Sequence, residues 1–307
     1  MEFASLSRWI DTTAPAQSAD DQRVDWVRCA PFIGLHAASL AVWWTGISGV
    51  ALAVAGGLYL LRVFAITAFY HRYFSHRTFR TSRLFQFVMA ALGNLAVQRG
   101  PIWWAAHHRH HHRHAEEPDD LHSPTQHGFW RSHMFWFMTG AGFRTQTRYV
   151  RDWLQYPELR WLDRFDWALP VVLVAALALL GAVLETSAPG LGTNAAQMVV
   201  WGFVISTLAV YHATYTINSL AHRWGRRRFA TRDDSRNNWL LALITLGEGW
   251  HNNHHHYPAS ARQGFYWWEI DLTYYGLLLL AAVGLVHDLR PVPHHVLARN
   301  RVDGWAA

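Results

Sequence analysis

The sequence predicts an all-α polytopic membrane protein with four transmembrane helices in two hairpins and a helical cap on the cytoplasmic side. Hydrophobic residues make up 51% of the 307 residues. Four apolar stretches of 16 to 23 residues come close to the roughly 20 residues that a bilayer requires. Arginines are concentrated outside these stretches. No internal repeat, linker or low-complexity segment divides the chain, so residues 1–307 are interpreted as one domain.

The four predicted spans pair through two short turns, 46–49 and 185–194, which carry almost no charge. Segment 70–166, between the hairpins, holds 13 arginines. Because positive residues stay in the cytoplasm, the turns are expected to face outward. The polar N-terminal segment 1–28, the middle segment and the C-terminal segment are then cytoplasmic. The predicted spans lie near residues 29–44, 49–69, 168–184 and 195–217.

Two further apolar runs, 84–97 and 272–286, are short for a span. They suit helices that lie in the interface or pack on the bundle. A single crossing by either run would place arginine-rich segments on opposite sides. Arg62 and His36 are exceptions within the first hairpin, and Arg62 is expected to snorkel or to contact the cytoplasmic layer.

The charge and cysteine content narrow the class of protein further. All 27 basic residues are arginine and the net charge is +6. A basic chain often binds nucleic acid or an anionic membrane, and the apolar and aromatic content favours the membrane, so no nucleic-acid partner is expected. Cys29 is the single cysteine, which excludes an internal disulfide and a cysteine-based zinc site. The first residues lack the pattern of a signal peptide.

Histidines cluster at the cytoplasmic ends of the predicted spans and on the cytoplasmic segments. The stretch GEGWHNNHHHYP, 247–258, holds four histidines within six positions. The stretch 104–124 repeats its H-x2-H-H spacing, 70–79 has an H-x4-H pair, and 217–225 has an Asn and a His four apart. The candidate metal-binding residues are His71, His76, His108, His111, His112, Asn218, His222, His251, His254 and His255.

Helical geometry determines which of these histidines face in the same direction. Residues three and four apart share one helix face, so each H-x2-H-H pattern directs three imidazoles the same way. His71 and His76 do not share a face, because five residues leave them about 140° apart on an α-helix. Either two neighbouring metal ions each take one of that pair, or the helix unwinds there. Nine imidazoles exceed the about six ligands of one transition metal, so two metal ions are predicted.

Spacing leaves the metal and part of the register open. Imidazole binds zinc, copper, iron and nickel alike. In HHRHHHRH, 107–114, the set His107, His110 and His111 fits the spacing as well as the set that begins at His108. The remaining cluster histidines are interpreted as neighbours of ligands or as solvated, and those outside the clusters as ordinary structural residues. The cluster histidines interpreted in this way are His114, His122, His127 and His256.

The motifs HRYFSH, HRHHH, NSLAH and GEGWHNNHH, in this order between hydrophobic hairpins, resemble those of the membrane fatty acyl desaturases, and most closely the Δ9 stearoyl-CoA type of bacteria. The resemblance covers roughly residues 30–290. It implies a cytosolic diiron centre on four spans in the bacterial inner membrane, with the nine histidines as iron ligands, in the register that begins at His108. It also implies that Asn218 acts through water and that Glu248 orients a ligand.

The implied reaction introduces a cis double bond, at carbon 9 by this resemblance, into a saturated long-chain fatty acyl-CoA or acyl lipid. It uses O2, two electrons and two protons and releases two waters. No haem-binding HPGG motif and no G-x-G-x-x-G after a strand is present, so a separate ferredoxin- or cytochrome b5-like donor is expected. An arginine-rich face suits an acidic donor.

Substrate contacts follow from the same resemblance. Trp104 and Tyr215 occupy positions that resemble tunnel-lining aromatics, although they also suit ordinary buried positions. Ala106 and His107 replace an Arg-Asp pair that helps to hold the CoA head group in the animal enzymes. The run Arg226, Arg227 and Arg228 is a candidate for CoA phosphates, or else a lipid-facing or topological feature.

Two other functions fit parts of the pattern. A fatty acid or carotenoid hydroxylase or ketolase of the wider histidine-box superfamily would use the same metal and O2, but NSLAH and HNNHH favour desaturation. A membrane protein that stores or moves metal would place ligands inside spans or in flexible tails. Rigid spacing on the cytoplasmic side argues against this second alternative.

Overall fold

The computed structural model describes residue 12 and residues 23–302. Most of the predicted polar segment 1–28 lies outside the described residues. The described chain is mainly helical, as predicted. Two short strands, Arg80–Thr81 (β1) and Val286–His287 (β2), pair antiparallel with Arg80 opposite His287. The α-helices are α1 Trp26–Ala38, α2 Val42–Thr45, α3 Gly49–Phe64, α4 Arg83–Asn94, α5 Pro101–His114, α6 Pro124–His127, α7 Gly140–Phe143, α8 Pro157–Arg164, α9 Ala168–Ser187, α10 Ala195–Val199, α11 Ser206–Ser219, α12 Trp239–Ile244, α13 His251–His256, α14 Leu272–Ala282 and α15 His294–Ala298.

Three helical rods in the described residues are long and apolar enough to cross a membrane: Gly49–Ser75, Ala168–Ser187 and Ala195–His222. The first rod continues from α3 into a π-helix, and the third joins α10 and α11 through another. The first predicted span, near 29–44, is helical from Trp26 to Thr45 but is not among them. His36 interrupts its apolar residues, and Arg28 lies directly before it in the same helix. A fourth crossing therefore stays a prediction.

The two short apolar runs form α4 and α14, which pack on the π-helix that ends the first rod. Gly93 lets α4 approach closely, because a Cβ atom at this position would lie 1.9 Å from the ring of Tyr70. The Tyr70 hydroxyl in turn donates to Ala90 O and Asn94 Oδ1. These contacts fix the end of the rod from which the first histidine pair projects.

Arg62 is fully buried and lies between the first and third rods. Its guanidinium donates to Thr207 Oγ1 at 2.6 Å, Gly202 O at 3.1 Å and the Ser206 hydroxyl. It also reaches Leu95 O, just after α4, at 3.4 Å. The buried Arg62 side chain therefore does not snorkel, and its charge is held by neutral acceptors, most of them in the third rod. This arrangement ties the two rods together.

Replacing Arg62 with methionine should lower the free energy of unfolding in mixed micelles by about 2–5 kcal/mol, because two hydroxyls and a carbonyl lose a buried charged donor. Arg80→Met is the matched control, since the Arg80 side chain is 81% exposed. Equal stability of the two variants would show that the buried guanidinium does not hold the rods together.

A line of three imidazoles joins α1 to the third rod. His36 Nε2 lies 3.3 Å from His212 Nε2, and His212 Nδ1 lies 3.1 Å from His133 Nε2. His133 Nδ1 continues to Ser219 Oγ at 2.9 Å. Opposite nitrogens of His212 make the two contacts, so these rings form a line and not a metal cage. They hold α1 against the helix that carries Asn218.

Candidate metal centre

His71 lies on the π-helix Ala65–Ser75 at the end of the first rod, and His76 follows this helix directly. The His76 N–H donates to His71 O at 3.3 Å, which closes a five-residue turn. This wider turn brings the two imidazoles to 5.1 Å between ring centroids. The divergence expected from α-helical geometry does not occur, and both rings join the same group.

The other histidines come from α5, from α13 and from the 3₁₀ turn Leu220–His222 that ends the third rod. All nine predicted imidazoles meet in two groups. Within each group, one ligand atom per residue lies within 4.8 Å of all the others. The first group is His71, His76, His108, His112 and His254, and the second is His111, His222, His251 and His255.

Within the first group, the Nε2 atoms face one another. His254 Nε2 lies 3.0 Å from His71 Nε2 and 2.9 Å from His112 Nε2. His76 Nε2 lies 2.8 Å from His108 Nε2. His254 is therefore the link between the rod, α5 and α13 in this group.

The second group has four imidazoles and one neighbouring amide residue. His222 Nε2 lies 3.0 Å from His251 Nε2. His111 and His255 complete the group, with ring centroids 5.2 Å apart. Asn218 stands one helical turn before His222 and lines the adjacent cavity. Asn218 is thus near this group along the chain, and its role toward a metal stays a prediction.

Carboxylates hold the outer nitrogen of one imidazole in the first group and three in the second. Glu248, which was predicted to orient a ligand, contacts His71 Nδ1. Three others lie outside the predicted set, although acidic residues follow the second histidine cluster in AEEPDD, 115–120. Their contacts are Asp120 Oδ2 to His111 Nδ1 at 2.9 Å, Glu116 Oε1 to His222 Nδ1 at 2.9 Å and Asp233 Oδ2 to His255 Nδ1 at 2.8 Å.

Burial keeps most of these imidazoles neutral. Burial, together with the neighbouring imidazoles, lowers the pKa values of His76, His108, His112, His251 and His254. A neutral ring has one lone pair, which metal binding requires.

The carboxylates stay ionised. Burial would raise the pKa of Glu116, but its bonds to His222 and Ser123 lower that pKa to about 2. The contacts of Asp120 with His111 and His122 likewise outweigh burial and hold the Asp120 pKa below its ordinary value. A carboxylate that accepts from Nδ1–H leaves the lone pair on Nε2, and this atom faces the centre of its group.

The donor set fits two transition-metal ions. Among the described residues, no hydrogen-bond partner lies within reach of the buried His255 Nε2 atom. Where a carboxylate holds Nδ1, as in His71 and His222, the Nε2 atom that faces a neighbouring ring carries a lone pair available for a metal ion. Neutral imidazoles with a carboxylate on the outer nitrogen are the ligand arrangement that metal sites use.

Replacing Asp120 with asparagine should weaken metal retention about 10–100-fold, because the carboxylate that orients His111 loses its charge. Competition with a chelator, read as metal bound per chain, measures this. Asp119→Asn removes an exposed carboxylate one residue away and should retain metal like the unmodified protein. Equal loss from both variants would contradict the orienting role.

The geometry settles which register of the second cluster faces the centre. His108, His111 and His112 enter the two groups, whereas His107 packs between Trp103 and Trp136. His110 faces the other way, toward His114 and Tyr149. Two of the four extra histidines contact Asp120: His122 Nδ1 lies 3.2 Å from Asp120 Oδ1, and His127 Nε2 lies 2.9 Å from Asp120 O. The other two, His114 and His256, contact Glu117 and Val296 O.

A mainly apolar cavity of about 570 Å³ opens beside the first group, within the usual size range of ligand pockets. It reaches His108 and Asn218 and is lined by residues of α1, α5, α11 and the segments before α5 and after α6. Its aromatic lining includes Phe32, Trp103, Trp104, Trp136, Phe137, Phe143, Trp167, Phe203, Tyr211 and Tyr215. Trp104 and Tyr215 are thus part of the aromatic wall of this cavity.

A short polar bridge crosses this cavity near His108, and sequence reasoning missed it. Gln98 Nε2 donates to Thr214 Oγ1 at 2.8 Å, and Trp104 Nε1 donates to Gln98 Oε1 at 3.4 Å. The Trp104 ring stacks on His108 with centroids 5.1 Å apart. Neither Gln98 nor Thr214 belongs to a recognisable motif, so only the fold brings them together.

The three consecutive arginines lie elsewhere. Arg226, Arg227 and Arg228 do not line the cavity. Arg228 differs from the expectation for a phosphate-binding residue, because its guanidinium is buried and pairs with Glu269. The adjacent side chain of Arg227 donates to Thr231 O at 2.9 Å.

Three rods long and apolar enough to cross a membrane, nine imidazoles in two groups that could hold metal, and an apolar cavity define a class of histidine-rich, membrane-associated proteins. The family model for fatty acid desaturase matches residues 35–287. The chain belongs to the fatty acid desaturase family, a family of oxidoreductases of lipid metabolism.

Similar proteins cover nearly the whole chain. An sn-2 palmitoyl-lipid 9-desaturase of Nostoc sp. (strain 36) is 34% identical over 90% of this chain and 94% of its own length. An sn-1 stearoyl-lipid 9-desaturase of Anabaena variabilis is also 34% identical, over 87% of this chain and 94% of its own. An acyl-CoA 5-desaturase of Anemone leveillei is 37% identical over 87% of this chain and 79% of its own.

Proposed function

We propose that this protein introduces a cis double bond at carbon 9 of a saturated long-chain acyl group, with two iron ions held by its two imidazole groups. The observation that carries the proposal is the convergence of nine buried or half-buried imidazoles in two groups, with an apolar cavity that reaches His108 and Asn218. The two 9-desaturases among its relatives support carbon 9 as the position.

The five imidazoles of the first group would hold one iron. Those of the second group, with Asn218 acting through water, would hold the other. Bound iron supplies the O2-dependent oxidation that removes two hydrogens from adjacent methylenes. The chain's own residues fix the ring tautomers through Glu248, Asp120, Glu116 and Asp233. No side chain is needed as a nucleophile or as a general base.

The cavity residues would hold an unreactive alkyl chain in place. Trp104 packs against His108 and keeps the chain next to this ligand, while Gln98 and Thr214 fix Trp104. Tyr211 and Tyr215 continue the wall along α11. A close aromatic wall also excludes water from the reacting carbons, which prevents unproductive oxidation. Positioning is the main contribution of these residues.

We place the centre on the cytoplasmic face of a bacterial inner membrane, with α1 and α2 as the first of four spans in two hairpins. Each group lies at the end of a rod, and the segment that follows this rod is rich in arginine. The positive-inside rule assigns such segments to the cytoplasm. Electrons would come from a separate donor of the ferredoxin or cytochrome b5 type.

Two acyl carriers fit this site. The sequence motifs favour acyl-CoA, as in the Anemone relative, whereas both cyanobacterial relatives act on acyl groups in lipids. Near the α1 end, the cavity lining includes Arg28, Arg99 and Asp166. A polar head group of either carrier would suit this end.

The test is the fatty acid profile of a bacterial host that expresses the protein, with disulfide adducts to locate new double bonds. A cis-9 monoene is expected. Purified protein with an electron donor is then offered stearoyl-CoA or a distearoyl phospholipid to identify the carrier. A hydroxylated fatty acid would move the protein to the hydroxylase alternative, and absence of any new lipid despite bound iron would contradict an acyl substrate.

A further inference from the structure

Two segments that are distant in sequence form one arginine-rich ribbon. Ala230 N donates to Asn300 O and Val302 N donates to Arg228 O, both at 2.8 Å, so 226–232 runs beside 299–302. Among the described residues of this ribbon and the adjoining loop to Ser235, the acidic side chains are Asp233 and Asp234. The exposed or half-exposed arginines are Arg226, Arg227, Arg232, Arg299 and Arg301.

The ribbon is attached rigidly to the third histidine cluster. Asn252 Oδ1 accepts from both Arg228 N and Phe229 N at 2.8 Å. The Phe229 ring stacks on His256 with centroids 3.9 Å apart and planes 6° apart. The exposed face of the ribbon is thus held in a fixed position relative to α13.

One side chain separates this surface from a metal-binding residue. Arg232 is exposed, and the next residue, Asp233, is buried and accepts from His255 Nδ1 at 2.8 Å. Asp233 Oδ1 also accepts from Ser235 N at 2.9 Å, which fixes the loop. The route from the exterior to the second imidazole group therefore runs through a single carboxylate.

We infer that this ribbon is the docking surface for a small acidic electron-transfer protein; the inference rests on the proposed function. Desaturation of one acyl group consumes O2, two electrons and two protons and releases two waters, so a one-electron donor must visit twice. A cationic face favours fast encounter with an anionic partner. The ribbon is separate from the acyl cavity, so the donor and the substrate do not compete.

The same charges could in principle meet CoA phosphates or anionic lipid. CoA is disfavoured because no ribbon residue lines the cavity. A lipid surface is disfavoured because the aromatic residue of the ribbon, Phe229, is buried beneath it. Neither alternative makes use of the hydrogen bond between Asp233 and His255.

The experiment compares Arg232→Glu/Arg299→Glu with the control Arg151→Glu/Arg160→Glu, which reverses two exposed arginines elsewhere. Binding of a plant-type [2Fe–2S] ferredoxin and of a soluble cytochrome b5 domain to the purified full-length protein is measured at low and high salt. The ribbon variant should bind about tenfold or more weakly at low salt, and the difference should disappear at high salt. The control should bind like the unmodified protein.

A single turnover driven by a chemical reductant separates this inference from the proposed function. The ribbon variant should then form as much product as the unmodified protein. Undiminished donor binding by the ribbon variant, equal loss in the control, or failure of the unmodified protein to bind either donor would overturn the docking surface. Weaker acyl-CoA binding by the ribbon variant would overturn it in favour of CoA phosphates.

Discussion

Replacing His254 with alanine removes the unsaturated product, by at least about 100-fold, and loosens the iron of the first imidazole group. His254 is the ring that lies within 3.0 Å of both His71 and His112, so its loss opens the contact between the rod, α5 and α13. Removing a metal ligand is expected to reduce activity more than removing a residue that only orients a ligand. For the latter, the usual loss of metal affinity or activity is about 10–100-fold. Fatty acid analysis and iron content, measured on the same preparation, test this.

His287→Ala is the matched control, because His287 is an exposed histidine on β2 outside both groups. It should retain full product and full iron. His254→Ala should still insert into the membrane, because the removed ring is not part of a span. Retained activity in His254→Ala would contradict the assignment of this residue as a ligand.

Replacing Thr214 with phenylalanine should block the acyl cavity while the metal groups stay loaded. Thr214 lines the cavity and accepts from Gln98 at 2.8 Å, so a larger ring occupies the volume and displaces Gln98 from Trp104. Misplacement of a substrate by about 1 Å can cost about 100-fold in rate. We expect a loss of that size in kcat/KM for long acyl substrates, measured by product formation in vitro.

The control for this experiment is Thr216→Phe, two residues further along the same helix. The Thr216 hydroxyl donates to Ala213 O at 2.6 Å, and the residue does not line the cavity. This variant should keep activity. If Thr214→Phe turned over long acyl chains at the normal rate, the cavity would not be the substrate site.

The spacing of histidines predicted the site because the pattern of three and four residues survives in helices α5 and α13. At His71 and His76 the spacing left two alternatives open, and a π-helix, whose turn is wider than that of an α-helix, brings the two rings together. The register of the second cluster also needed the fold, since His107 and His108 differ only in which neighbour each faces. A sequence pattern records the spacing of residues and not the local width of the helical turn.

Residues that act through other residues were harder to predict. Glu248 follows from its motif, but Asp120, Glu116 and Asp233 meet their histidines only after the loops fold. Burial of Arg228 against Glu269 depends on a contact 41 positions away along the chain. Helical character and the three apolar rods follow from composition. The first predicted span contains His36 and follows directly after Arg28, and its place in the membrane depends on packing.

The most direct test of the central claim is the number and environment of metal ions in the purified, iron-loaded protein. Metal analysis with X-ray absorption spectroscopy at the iron edge measures both. The two imidazole groups predict two irons per chain with mainly nitrogen neighbours, and His254→Ala should lose one. A single iron per chain, or iron bound mainly by oxygen, would contradict a centre built from these nine histidines.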